Sequence, residues 1–332
     1  MPCNFGILWG AGPRVCEGTD LFITVDFIWW TAREDGLAYA VDGLNDSTTD
    51  DIAKEGSVHH PDWEWTPGFK VGLGYNLWHD DWDIYAQYTW LHFEGDRSST
   101  TSPNLTNDFL SPTWFVLNTS DITKATGRWD LHFNVIDVEL GRNYFVSQYL
   151  TLRPFVGFKG TWQHQDYKVR YVNGPDSSTD DTVSTRMRQD HDMWGIGIRT
   201  GVNFAWMFTR CFSLFSDWAL TALMTEYDID RKDRLETVDS SGNITASVLN
   251  VNTQNEFYTL KGVLELDIGL RWEMWFGCND AYHFMLQAAW EEQLWWNQNN
   301  MIQIGNGNFG VGEKAHGDLM LHGLTIKARF DF

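Results

Sequence analysis

Two short stretches carry residue types suited to metal binding or acid–base work. "GSVHHPDW" sets His59 beside His60, and imidazole is the commonest side-chain ligand of transition metals. Adjacent histidines in a loop point apart, and no third donor sits at a ligand spacing, so no metal site is expected there. "QDHDM" places His191 between Asp190 and Asp192, a carboxylate–imidazole combination able to move a proton. Asp80 and Asp81 form a second acidic pair. Such groups act together only within hydrogen-bond reach, so the elements that hold them decide their use. No glycine-rich phosphate loop or nucleophile elbow lies between a strand and a helix, and no cofactor is expected.

A larger set of charges recurs at alternate positions of apolar runs: Lys70, Asp83, Asp137, Glu139, Arg153, Lys159, Arg199, Asp217, Lys261, Glu265, Asp267, Arg271, Glu273, Glu291, Lys327 and Arg329. That spacing puts each on one face of a strand. Enclosed in a wide lumen, they would stay hydrated and set ion selectivity. In a narrow lumen they would pair, because an unpaired buried charge is costly.

The elements that must position them are strands. From Phe257 one parity reads Tyr258, Leu260, Gly262, Leu264, Leu266, Ile268, Leu270, Trp272, Met274 and Phe276, without a charge. The other carries Lys261, Glu265, Asp267, Arg271 and Glu273. Similar runs follow one another in pairs joined by "HDD", "VSQ", "TR" and "GCND", each link short enough for an antiparallel hairpin. Long polar segments separate the pairs, near residues 33–65, 96–126, 173–190, 228–256 and 298–316. In an up-and-down sheet this strict alternation sends every tight turn to one end and every long loop to the other, as in transmembrane β-barrels.

The fold class predicted is therefore all-β: an antiparallel up-and-down transmembrane barrel of about ten strands, or twelve if a loop hides a hairpin. Residues 1–18 form a periplasmic segment and residues 19–332 the barrel. Composition agrees: 19 Trp, 21 Phe, 11 Tyr and 29 Gly disfavour long helices and supply interfacial aromatics. Trp29, Trp30, Trp78, Trp82, Trp129, Trp206, Trp218, Trp272, Trp290 and Trp296 lie toward strand ends and are read as two girdles. No apolar run is long enough for a transmembrane helix. A net charge of −21 argues against a nucleic-acid partner. The N-terminus lacks the form of a signal peptide, leaving a cytosolic chain or a mature exported one.

One run breaks the pattern. Trp129, Leu131, Phe133 and Val135 share a parity, while Ile136, Val138 and Leu140 take the other. A bulge near Asn134 to Ile136 would return the apolar face to lipid.

The closing "LTIKARFDF" resembles the terminal signal by which bacterial outer-membrane proteins are recognised by their assembly machinery, with Phe330 and Phe332 as its aromatics. "FIWWTAREDGLAYA" (residues 27–40) and "FKVGLGYNLWHDDWDIYAQYTWLHFE" (residues 69–94) resemble the first strand and following hairpin of the major-outer-membrane-protein-like porins of Legionella and chlamydia-related bacteria. The resemblance covers the first hundred residues and the last ten well. It implies a bacterial outer membrane, lipid contact, and a porin for passive diffusion of ions and small hydrophilic solutes, with no enzymatic activity. It also implies an envelope in which Cys3, Cys16, Cys211 and Cys278 are candidates for disulfides, and homo-oligomers are common among such porins. A closed barrel acting as an adhesin or structural protein through its outer loops, with host-surface contact, is the alternative reading. A rim protease is the third: ten-strand outer-membrane proteases use Asp–Asp and Asp–His pairs. Asp190 and His191 would supply one pair, whereas Asp80 and Asp81 fall at a tight turn on the wrong side.

Overall fold

The structure is a computed structural model that describes residues 20–44, 55–77, 81–100, 108–114, 122–174, 181–209, 211–239, 241–277, 281–304 and 312–332. In chain order its strands are β1 (Leu21–Glu34), β2 (Ala40–Leu44), β3 (Glu55–His59), β4 (Trp65–Asn76), β5 (Trp82–Thr100), β6 (Asp108–Pro112), β7 (Ile122–Arg142), β8 (Tyr144–Phe145), β9 (Leu150–Asn173), β10 (Thr182–Met207), β11 (Phe212–Val238), β12 (Ile244–Phe276), β13 (Tyr282–Asn299), β14 (Ile302–Ile304), β15 (Gly312–Lys314) and β16 (Gly317–Asp331).

Among the described residues, ten of these close an antiparallel ring, β1-β4-β5-β7-β9-β10-β11-β12-β13-β16, completed by β16 against β1. The expected ten-stranded barrel is present. The terminal strand sits between β1 and β13, and the Phe332 amide donates to the Leu21 carbonyl at 3.0 Å. Phe330 faces outward among Phe276, Tyr282 and Phe332, an aromatic cluster at the tight-turn end.

Glycines on β4 leave room for large inward rings. A Cβ at Gly74 would lie 2.0 Å from the Phe22 ring, and one at Gly72 would lie 2.4 Å from the Tyr85 hydroxyl. Phe22 and Tyr85 stack across this strand with centroids 5.6 Å apart.

Three expectations need correction. The segments 173–190 and 228–256 are largely strand: β10 begins at Thr182, and β11 and β12 continue as a hairpin arm to Val238 and Ile244. They read as loops because a wall standing in water carries polar residues on its outer face. The bulge at Asn134–Ile136 is absent; β7 pairs in unbroken register there with both β5 and β9. Trp129, Leu131, Phe133 and Val135 point inward, as do Asp137 and Glu139 farther down, and Ile136, Val138 and Leu140 point outward. What changes along β7 is the medium outside the wall, from water to hydrocarbon, so the apolar residues change sides without a change of parity. Trp129 leaves the girdles for the same reason, and Trp30 because it follows the outward Trp29 on one strand and so faces inward; both are buried inside. The outward girdle tryptophans include Trp29, Trp162, Trp194, Trp206, Trp218 and Trp290.

Candidate functional site: the barrel interior

The interior divides into three layers. The layer nearest the tight turns, which are periplasmic in barrels of this kind, is a cavity of about 890 Å³ lined by nine carboxylates and seven cations. Strand alternation supplies all of them: each is an inward residue flanked by outward apolar neighbours. Of the charged residues expected along the lumen, all line this cavity except Lys261, which lies farther out.

Most of these charges are paired; Asp217 and Asp267 each keep a buried oxygen without a hydrogen-bond partner among the described residues. Arg199 reaches Glu265 at 2.6 Å, Asp137 at 3.6 Å, and also Glu139. Lys159 bridges Asp137 at 2.8 Å and Glu265 at 2.6 Å. Arg153 donates to Glu139 at 3.0 Å, Asn203 at 2.8 Å, and Asp83 through Nε at 2.9 Å. Lys70 binds both oxygens of Glu291, at 2.6 and 2.7 Å. The result is a belt in two parts: one network ties β5, β7, β9, β10 and β12 together across the lumen, and a separate Lys70–Glu291 pair joins β4 to β13.

Above the belt lies a layer of amides and indoles. Gln298 donates to Gln163 at 2.9 Å, Trp129 to Gln165 at 3.0 Å, Trp295 to Gln293 at 3.2 Å, and Trp30 to Thr325 at 3.1 Å. Lys261 belongs here: it donates to Gln298 and lies 5.4 Å from the Trp295 ring centre.

The outermost layer is an aromatic core that shares Trp30 and Trp295 with the layer below it. Trp30, Phe93, Phe133, Tyr167, Tyr227, Val263, Trp295 and Leu321, from eight ring strands, each have 0% exposure. Segments from the outer end seal it. Tyr167 donates to the Leu37 carbonyl at 2.9 Å, Tyr171 to the Tyr39 carbonyl at 2.5 Å, and Trp114 Nε1 to the Ala38 carbonyl at 2.8 Å. The short sheet β3-β2-β6 carries this segment, and Arg231 donates to the Ile302 carbonyl at 2.7 Å from the other side. Polar groups of the wall thus grip the backbone of the cork, leaving its side chains to fill the mouth.

The sequence-derived acid–base candidates do not assemble. His191 is buried inside against Tyr227, whereas Asp190 points outward to Arg188 at 2.8 Å. Consecutive strand residues face opposite sides, so Asp190 and His191 cannot form a pair. Asp80 lies outside the described residues. His59 pairs with Asp42 at 2.8 Å, and His60 lies against Trp63. Cys211 is exposed at the turn between β10 and β11; Cys3, Cys16 and Cys278, like residues 1–18, lie outside the described residues.

Sequence reasoning missed the aromatic core. Its signal was present: the parity of β7 that carries Asp137 and Glu139 carries Trp129, Leu131 and Phe133 toward the other end.

Among solved structures, the outer membrane protease OmpT from Escherichia coli is similar over 94% of this chain and 96% of its own, at 8% identity and a TM-score of 0.37. A Pseudomonas aeruginosa FadL homologue matches 94% of this chain and 89% of its own, at 9% identity and a TM-score of 0.28. The P. putida toluene transporter TodX matches 96% and 91%, at 8% identity and a TM-score of 0.29. No curated protein matches the chain. The family model described as the Legionella pneumophila major outer membrane protein precursor matches residues 13–332, and the chain, a β-barrel of the bacterial outer membrane, belongs to that family.

Proposed function

We propose that this chain is a closed outer-membrane barrel, a structural envelope protein that offers its projecting walls and corked mouth as an outer contact surface. The observation that carries this reading is the aromatic core: inward side chains from eight strands, all at 0% exposure, pack the outer half among the described residues. The ion-pair belt supports it, since paired charges brace a barrel, whereas a hydrated pore leaves charges free to meet passing ions.

The porin reading is favoured by one observation, the 890 Å³ charged cavity that reaches the tight-turn end. Conduction through it requires the cork and the aromatic core to move together. Planar-bilayer recording on refolded protein separates the readings. Silence under applied voltage supports the closed barrel, and steady ohmic channels in the unmodified protein overturn it.

A further inference from the structure

We propose that His92, Asp130 and His132 form a binding site for a transition-metal ion of the zinc class on the outer surface of the barrel wall. His92 on β5 lies directly opposite His132 on β7, and Asp130 occupies the next outward position of β7. The two imidazoles stack with centroids 4.0 Å and planes 28° apart, so the rings must turn about χ2 to bring their in-plane lone pairs onto one ion. Ligand atoms of all three residues lie within 4.8 Å of one another.

The spacing suits a metal better than hydrogen bonding. Asp130 Oδ1 lies 3.7 Å from His92 Nδ1 and 3.5 Å from His132 Nε2. Two zinc–ligand bonds of about 2.05 Å meeting at a tetrahedral angle span about 3.4 Å, close to both separations. His92 Nδ1 and Asp130 Oδ1 are also shielded from solvent without a hydrogen-bond partner, although both residues sit on the outer face. An ion between them would satisfy both.

The neighbours fit the assignment. His92 Nε2 faces Glu94 at 3.5 Å, an ion-pair distance; a turn of the ring onto a metal would have to shorten it before Glu94 could orient the histidine. Glu94 in turn meets Arg128 at 3.5 Å, so it is not counted as a ligand. His164 is engaged by Asp192 at 2.6 Å. Three protein donors therefore leave one tetrahedral position for water or an outside ligand. Imidazole with a single carboxylate favours zinc, cobalt, nickel or copper over magnesium and calcium. The site lies one register step beyond Trp90, Trp162 and Trp194, where the wall leaves the lipid and meets water.

The test uses untagged, refolded full-length protein. Zinc chloride is titrated by calorimetry, and cobalt chloride by visible absorption, with magnesium as the control ion. One saturable equivalent is expected, with a tetrahedral cobalt spectrum and no response to magnesium. His92→Gln, His132→Gln and Asp130→Asn should each weaken binding at least about tenfold, and His59→Gln should leave it unchanged. The absence of a saturable zinc equivalent in the unmodified protein overturns the proposal, as does binding that survives the triple substitution or moves with His59. Should a variant fail to refold, the cobalt spectrum of the unmodified protein decides: without a tetrahedral band the site does not exist.

Discussion

Replacing Trp295 by alanine tests whether the interior is packed. The indole has 0% exposure and meets Phe133 edge-on at 5.3 Å. The ammonium groups of Lys159 and Lys261 lie 5.8 and 5.4 Å from its ring centre. Its Nε1 donates to Gln293 at 3.2 Å. Neighbours held on ten hydrogen-bonded strands cannot collapse far into the void, so the loss should approach the upper range for large-to-small core changes, about 3–5 kcal/mol. Urea titration of the folded protein in micelles, followed by far-ultraviolet circular dichroism, reads this as a lower midpoint at unchanged slope. On the closed-barrel reading the variant should not conduct, because Phe133, Tyr167 and Tyr227 still fill the lumen. A loss below about 1 kcal/mol would mean that the indole faces water and that the interior is not sealed.

Arg199→Met should cost up to about 3–5 kcal/mol in the same titration, because Asp137, Glu139 and Glu265 lose a shared counter-ion and keep only Lys159 and Arg153 while buried; a near-neutral result would show that these carboxylates are hydrated. Ile268→Arg, at an outward position with 56% exposure, should cost about 2–4 kcal/mol on refolding into vesicles, and an inconsequential change would remove this face from the lipid. Tyr171→Phe leaves the buried Tyr39 carbonyl short of a donor and should cost about 1–3 kcal/mol, read as faster protease cleavage between residues 35 and 64; unchanged cleavage would argue against the cork. Around Asp42, burial raises the carboxyl pKa, but the Ser57 amide and the His59 ring outweigh it and hold the group below its ordinary value of 3.8. With the folded pKa below the unfolded one, the stabilisation of β2 on β3 is complete above the unfolded value and fades as pH falls through the folded one. The protection of the Ser57 amide, taken as exchange relative to the intrinsic rate at each pH, should therefore fall on acidification below the ordinary carboxylate range, and Asp42→Asn should abolish that dependence.

The sequence by itself determined the barrel. Alternation with a period of two, tight turns regularly exchanged with long polar segments, and an amphipathic last strand are local properties, and antiparallel neighbours in a closed sheet follow from them. It also determined which parity of β12 faces lipid, because a wall in hydrocarbon tolerates no charge at Leu264, Leu266 or Ile268. Where each strand leaves the membrane was not legible, since an inward Phe133 and an outward Ile136 are equally apolar as letters. That error produced the expected bulge, the misplaced Trp129, and the reading of the arms as loops. Only the tertiary structure decided whether the lumen is filled, because filling depends on residues from eight strands and on a cork formed by distant segments meeting at one height. The His92–Asp130–His132 cluster has the same origin: β5 and β7 are brought into register by the closure of the sheet, and no spacing along the chain records that adjacency.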